Sequence, residues 1–362
     1  MIHPKKIAAL LALAALPVAM AACGSSGTTE EAAAPSKAEA SKPATGTLRV
    51  FAYDDTVTDQ QLAPFKKANP DLDLKVATFN SNEEAAAKLA GGFEADVVEV
   101  CLDEAQPLLQ RKQLRPIDTS GISSWKDLAF TDKPEVRQDG NVIMVPLSAG
   151  PYGIMYNSDE VPGGVKSYKE MFSDTYAGKM AVEGSSAVAP LAVAGLTLGF
   201  DDPFNMDQDE LDQAKDFLID NRDKIRSFPD SDSDMVNLFK TGEVEVANGG
   251  RGTTQDMQDE GMPVEWVAPT EGTWSWICGL GFTSKAENTD AAYKLLNYYA
   301  SPEAQAISAE NGFVITNPKA EPLVPPRYRE TSNPKSIAGS LPLTEPDDIE
   351  AYTRAWQEVR TG

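Results

Sequence analysis

The chain has 362 residues, 41% of them hydrophobic, with 55 Asp and Glu against 32 Lys and Arg and a formal net charge of -23. Such an acidic surface argues against nucleic acid and against direct adhesion to anionic lipid, both of which attract basic proteins. The single histidine, His3, lies in the N-terminal run, which removes Ser-His-Asp and Cys-His nucleophilic arrangements and histidine-bearing zinc sites from the rest of the chain.

Lys5 and Lys6 precede an apolar run over residues 7–22, short for a transmembrane helix, and Met20-Ala21-Ala22 leads into Cys23. The pattern reads as an export signal over residues 1–22, whose cleavage leaves Cys23 as a lipid-bearing N-terminus. The protein is therefore expected outside the cytoplasm, anchored to a membrane by that lipid. Residues 23–46, rich in Ala, Ser, Thr, Glu, Lys and Pro without periodicity, are expected to be a flexible linker.

Beyond the linker, strands are predicted over residues 47–53, 72–77 and 95–101, alternating with helices over 60–68, 82–90 and 105–112. Such alternation implies a mostly parallel sheet covered on both faces, with ligands beyond the carboxyl ends of the strands, here Tyr53-Asp54-Asp55 and Cys101-Leu102-Asp103. Apolar strands over 142–146 and 153–156 flank residues 147–152. A second alternating unit follows, with strands over 179–182, 244–248, 263–267 and 277–283. Its helices are predicted over 187–198, 208–221 and 233–240, and later helices over 290–300 and 302–311.

Two alternating units joined by extended segments fit either two α/β lobes around a cleft or one continuous doubly wound domain. Residues 147–156 and 271–281 are the candidate crossings, and together they would make a two-stranded hinge. The acidic run Asp230-Ser231-Asp232-Ser233-Asp234 lacks the glycine and terminal glutamate of a calcium loop and reads as a solvated turn. Gly249-Gly250-Arg251-Gly252 lacks the Lys-Ser/Thr pair of a P-loop. No metal and no cofactor are expected.

Further motifs run collinearly through the chain: Leu48-Arg49-Val50-Phe51 before Tyr53 and Asp55, Ser81-Asn82-Glu83, Asp96-Val97-Val98, Ile117-Asp118, and Val145-Pro146 before Gly153. Tyr176-Ala177-Gly178-Lys179, Gly242-Glu243-Val244 before Asn248-Gly249, Glu271-Gly272 through Trp276, Lys285-Ala286-Glu287-Asn288, Leu295-Leu296-Asn297-Tyr298 and Ser301-Pro302-Glu303 continue the order. The sequence resembles the spermidine- and putrescine-binding members of the extracellular solute-binding proteins that serve ABC importers. The resemblance implies an α/β, two-lobed, type II periplasmic-binding-protein-like fold with a central cleft and a two-stranded hinge. It places a first lobe at residues 47–150 with 282–329 and a second lobe with the hinge segments at 151–281. A C-terminal segment, 330–362, ends in a helix over 347–359 that returns across the lobes. The implied protein is a monomer that changes no covalent bond in its guest and delivers it to a permease driven by a separate cytoplasmic ATPase.

The resemblance also locates a ligand set. Tyr53, Asp55, Asp103 and Cys278 would face Glu183, Ser185 and Arg251, with Asp54, Cys101, Tyr152 and Asn248 as further candidates and Trp274 and Trp276 on one face of their strand. In polyamine binders, acidic side chains grip ammonium groups and aromatic rings line the spacer. Here Cys278 replaces an amine-gripping aspartate of the family, and Arg251 adds a donor suited to a carboxylate. The expected guest is accordingly an amino-acid-like zwitterion or related amine, its carboxylate on Arg251 and its ammonium on Asp55, Asp103 or Glu183. Polyamine binding through Asp54, Asp55, Asp103 and Glu183 stays open, as does a cell-surface hydrolase using a carboxylate pair, and Arg251 pairing with Asp256 or Glu260 instead. Because Cys101 and Cys278 both fall on family positions that line the cleft and export permits oxidation, a disulfide between them is expected, two reduced thiols being the alternative.

Overall fold

The computed structural model describes residues 31–36, 40–79, 81–102, 105–133, 136–138 and 140–361. The export signal, Cys23 and Asp103 lie outside the described residues. Among the described residues no helix is long and apolar enough to cross a membrane.

Strands β1 (Gly46–Ala52), β2 (Leu72–Thr78) and β3 (Val97–Cys101) pair in parallel with β1 between the other two, linked by helices Asp59–Ala68 and Asn82–Ala90. Local chemistry sets these helices. Thr58 and Ser81 accept the Gln61 and Glu84 amides as N-caps, and helix 59–68 buries Leu62 and Phe65. Next come β4 (Leu114–Arg115), the hairpin of β5 (Arg137–Gln138) and β6 (Asn141–Val142), and the long β7 (Val145–Asn157). β8 (Met180–Ala181), β9 (Ile225–Ser227), β10 (Val246–Gly250) and β11 (Val264–Val267) follow, then β12 (Trp274–Thr283) and β13 (Leu341–Pro342). The main sheet runs β2-β1-β3-β12-β7-β10-β8-β9.

The two strands at the centre, β12 and β7, are the hinge. They pair antiparallel from Trp274 opposite Tyr152 to Leu280 opposite Val145. The predicted strand over 153–156 and the end of the one over 142–146 belong to a single strand, β7, which runs on through Pro146 and Pro151, while Val142 closes the β5–β6 hairpin. The register slips between Cys278 and Gly279, so Leu147 is the extra residue beside Pro146, where a missing donor is tolerated.

Two large hydrophobic cores lie on either side of this pair. One gathers Leu48, Phe51, Val98, Leu108, Phe282 and Leu296; the other gathers Ile154, Tyr168, Leu191, Phe204, Leu218 and Trp274. A smaller cluster, Met155, Phe239 and Met257, backs β10 and β11. The chain thus folds as two lobes on one continuous sheet.

Three expectations are corrected. The C-terminal helix Ile349–Thr361 does not return across the lobes: its buried Tyr352, Ala355, Trp356 and Val359 join the second core, on helices Val188–Leu198 and Gln208–Asp220. Part of the linker is anchored. Ala32 is fully buried, its amide donating to Pro116 O (2.9 Å) and its carbonyl accepting the Tyr293 hydroxyl (2.6 Å), while the Ala44 amide donates to Asn69 Oδ1 (2.6 Å). Small residues let the backbone approach closely enough to make these bonds. Helix Arg251–Asp259, absent from the sequence expectation, follows β10 directly.

Candidate functional site

The carboxyl ends of β1, β3, β8 and β10 converge beside the hinge. After β1 the chain turns through residues 53–57, and a buried acid underneath holds that turn. Glu99, in mid-β3 and 2% exposed, accepts the Tyr53 amide on Oε2 (3.0 Å) and the Thr56 hydroxyl on Oε1 (2.9 Å). Burial, reinforced by the Asp55 charge, pushes the Glu99 carboxyl up to about 8. A cavity of about 10 Å³ beside it is lined by Asp55, Thr56, Gln61, Ser148 and Tyr299, room for about one water. Tyr299 donates to Thr56 O (2.8 Å), and the buried Gln61 Oε1 has no partner among the described residues.

On the second lobe, Asn248 in β10 is fully buried and its Oδ1 accepts the Glu183 amide (2.8 Å), fixing the chain just after β8. The Glu183 carboxylate accepts both the amide (2.8 Å) and the hydroxyl of Ser185. Burial outweighs these bonds, and Asp232 and Asp230 add repulsion, so Glu183 is pushed up to about 7. Asp55, facing from the first lobe, keeps contact with water, yet the protein around it limits hydration. That loss, followed by the charges of Asp54 and Asp232, pushes it up to about 6.

Asp232 connects the two sides. It lies in the first turn of helix Asp232–Lys240, whose N-cap Ser231 accepts the Asp234 amide. It is raised by restricted hydration and by Asp54, with Thr253 bonding against the shift. Asp256 is pushed up to about 6 by restricted hydration and then by Asp232, Asp259 and Glu260. Among the described residues, the charges that raise Asp55, Glu183, Asp232 and Asp256 are carboxylates. Such an array attracts protons or a cation.

The other expected residues divide. Cys101 and Cys278 stand opposite one another on β3 and β12, Cα atoms 4.0 Å apart, and are joined by a disulfide. Tyr53 is half-buried against Phe79. Trp276 is half-buried, its ring over Gly150 and edge-on to Phe313 at 5.7 Å. Trp274 does not join it. Its ring is fully buried in the second core, stacked on Tyr152 at 5.4 Å and beside Phe204, because β12 passes from one lobe to the other between the two tryptophans. Trp274 and Tyr152 are hinge packing in this arrangement.

Arg251 does not face the carboxylate array. Its Nη2 donates to Thr331 O and to Ser336 Oγ (3.0 Å), its guanidinium lies over Trp266 at 5.5 Å, and burial lowers it to about 10. Asp256 and Glu260 are not its partners. Sequence reasoning missed Glu99 and set Asp232 aside as part of a solvated turn. A glutamate inside Val97-Val98-Glu99-Val100 was a readable signal; nothing local marked Asp232. Among the described residues no group of three or more His, Cys, Asp or Glu side chains is placed to hold a metal ion.

Residues 60–333 match the family described as Bacterial extracellular solute-binding protein. The chain is 26% identical over 373 residues to Spermidine/putrescine-binding periplasmic protein 1 of Haemophilus influenzae, covering 98% of this chain and 99% of that one. It is 27% identical over 348 residues to the putrescine-binding periplasmic protein PotF of Escherichia coli, covering 87% and 92%. Among solved structures, the spermidine/putrescine ABC transporter substrate-binding protein PotD from Streptococcus pneumoniae superposes with a TM-score of 0.76 at 20% identity, covering 87% of this chain and 99% of that one. The chain belongs to the bacterial extracellular solute-binding proteins, substrate-binding receptors of ABC importers and not enzymes.

Proposed function

We propose that the guest is a polycationic amine of the spermidine and putrescine class, held as a 1:1 complex and passed unchanged to a permease. This reading is carried by acidic side chains placed at strand ends, Asp54 and Asp55 after β1 and Glu183 after β8, with Asp232 at the start of its helix adding repulsion to Asp55 and Glu183. Four or more carboxylates that repel one another are relieved by ammonium groups, and a buried ammonium needs such partners. The half-buried rings of Tyr53 and Trp276 are suited to the aliphatic spacer. The names of the relatives in Haemophilus influenzae and Escherichia coli agree with this class.

A zwitterionic guest loses its main support. Arg251, assigned to the guest's carboxylate, is engaged by Thr331 and Ser336 instead. The disulfide occupies the position of the family's amine-gripping aspartate, so in this reading Asp55 and Asp232 supply the charge that Cys278 cannot. Asp103 is retained as a further contact by position. The receptor acts as a monomer, held at the membrane by a lipid on Cys23; mass spectrometry of the membrane fraction, with a lipid-bearing peptide that begins at Cys23 in the wild type and is lost in Cys23→Ala, tests the anchor.

Calorimetry of the protein lacking residues 1–23 against spermidine, putrescine, 4-aminobutyrate, choline and common amino acids tests the ligand class. Stoichiometric binding of the di- and triamines with no response to the zwitterions is the expected outcome. Binding confined to a carboxylated guest would refute it.

A further inference from the structure

Helix Arg251–Asp259 belongs to the second lobe, where Met257 packs with Met155 and Phe239. Its other side touches the first lobe. Arg251 donates to Thr331 O and Ser336 Oγ, Gln255 Nε2 donates to Ala309 O (3.3 Å) and Glu310 O (3.1 Å), and Asp259 accepts the Tyr328 hydroxyl (2.7 Å) and pairs with Arg327 (3.2 Å). Positions 251, 255 and 259 recur every four residues, so all three contacts come from one helical face. The partner segment is fixed to the first lobe: Gln61 donates to Ala304 O, Gln305 to Leu147 O and Thr316 to Pro146 O.

The two sides approach too closely for ordinary side chains at one point. Gly312 has φ +85°, and a Cβ there would fall 2.7 Å from Gly252 Cα. A Cβ on Gly252 would instead sit 3.6 Å from Gly312 O, in ordinary contact. Rotation of the lobes about β7 and β12 has to shear this seam. The seam exists in an arrangement where second-lobe residues Arg251, Gln255 and Asp259 bond directly to the first-lobe segment over 309–331, so the two lobes are in contact along it.

We infer that the Arg251–Gln255–Asp259 face and the Gly252–Gly312 contact form a latch between the lobes, so that solute affinity is set partly by residues that never touch the solute. A latch raises the population of the binding-competent arrangement, and apparent affinity scales with that population. The solute-dependent half of this inference rests on the proposed amine-binding function; the lobe geometry does not.

The test uses two variants, Gly252→Leu as a wedge and Gln255→Ala with Asp259→Ala to remove the bonds, each checked for cooperative unfolding. Small-angle scattering without solute is expected to give a larger radius of gyration in both, whereas Gly252→Ala keeps the wild-type radius. Calorimetry with spermidine is expected to show about tenfold weaker binding in the first two. Folded variants with an unchanged radius, or with unchanged spermidine affinity where the wild type binds it, would overturn the latch. If the wild type binds no amine, the functional reading fails and the radius alone decides the latch.

Discussion

Glu99 is placed where a carboxylate is hardest to keep ionised, in a strand whose neighbours are Val98 and Val100, and it is retained because the turn above needs its two acceptors. Its ordinary value of 4.5 is raised to about 8 in the folded protein. Between those values the folded state keeps a proton that the unfolded chain has released, so stability falls as pH rises through that window. Glu99→Gln keeps an acceptor for the Tyr53 amide and removes the titration. Its urea midpoint is expected to decline less than that of the wild type between pH 5 and pH 8, and a parallel decline would contradict the assignment. Asp55 differs in being open to water, in the turn after β1, and within reach of the Asp232 charge. Asp55→Asn is expected to weaken spermidine binding by about 10- to 100-fold, the worth of one charge-assisted hydrogen bond, with little change in folding, read by calorimetry at pH 7.5.

At the scale of elements, the hinge pair and the disulfide work on the same strand. Cys101 and Cys278 are 177 residues apart in sequence, so the bond closes a very long loop and ties β3 to β12 next to the register slip. Loop closure of that length is worth about 5 kcal/mol in the chain-entropy picture, and removing native disulfides costs about 2–5 kcal/mol. The double substitution of Cys101 and Cys278 by Ser, and the wild type under reductant, are expected to lose stability by similar amounts in urea; a loss in only one of the two would separate the bond from the packing of the thiols. The βαβ order of the first lobe was legible because caps such as Thr58 and Ser81 and the alternation in residues 72–77 are local signals. Helix Arg251–Asp259 was not, since Gly252, Thr253 and Thr254 have weak helix propensity and contacts to β10, β11 and the first lobe supply the rest. The same limit governs the site. Asp55 and Glu183 follow strand ends and can be found from topology, whereas the direction of Arg251 and the reach of Asp232 depend on how the two lobes meet, which no local pattern encodes.

For the molecule as a whole, binding and protonation must be coupled. Without a guest, Asp55 at about 6 and Glu183 at about 7 share their protons with solvent near neutrality, the first held up by restricted hydration and the second by burial, each reinforced by Asp232. An ammonium placed among them favours their ionised forms, so it lowers both values and expels protons. Below pH 5 the two acids are protonated and the cation must displace those protons; above pH 8 they are already ionised and no further gain remains. Amine affinity is therefore expected to rise from pH 5 to pH 8 and then level off, with net proton release greatest between the two values. Calorimetry in buffers of different ionisation heat measures that release directly, since the apparent binding enthalpy then varies with the buffer. The surrounding charge of -23 adds a longer-range attraction that salt screens, so association should slow as ionic strength rises while proton release, set by the close carboxylates, changes little. Proton uptake on binding, or affinity that does not move across this range, would show that the acidic array is not where the amine sits.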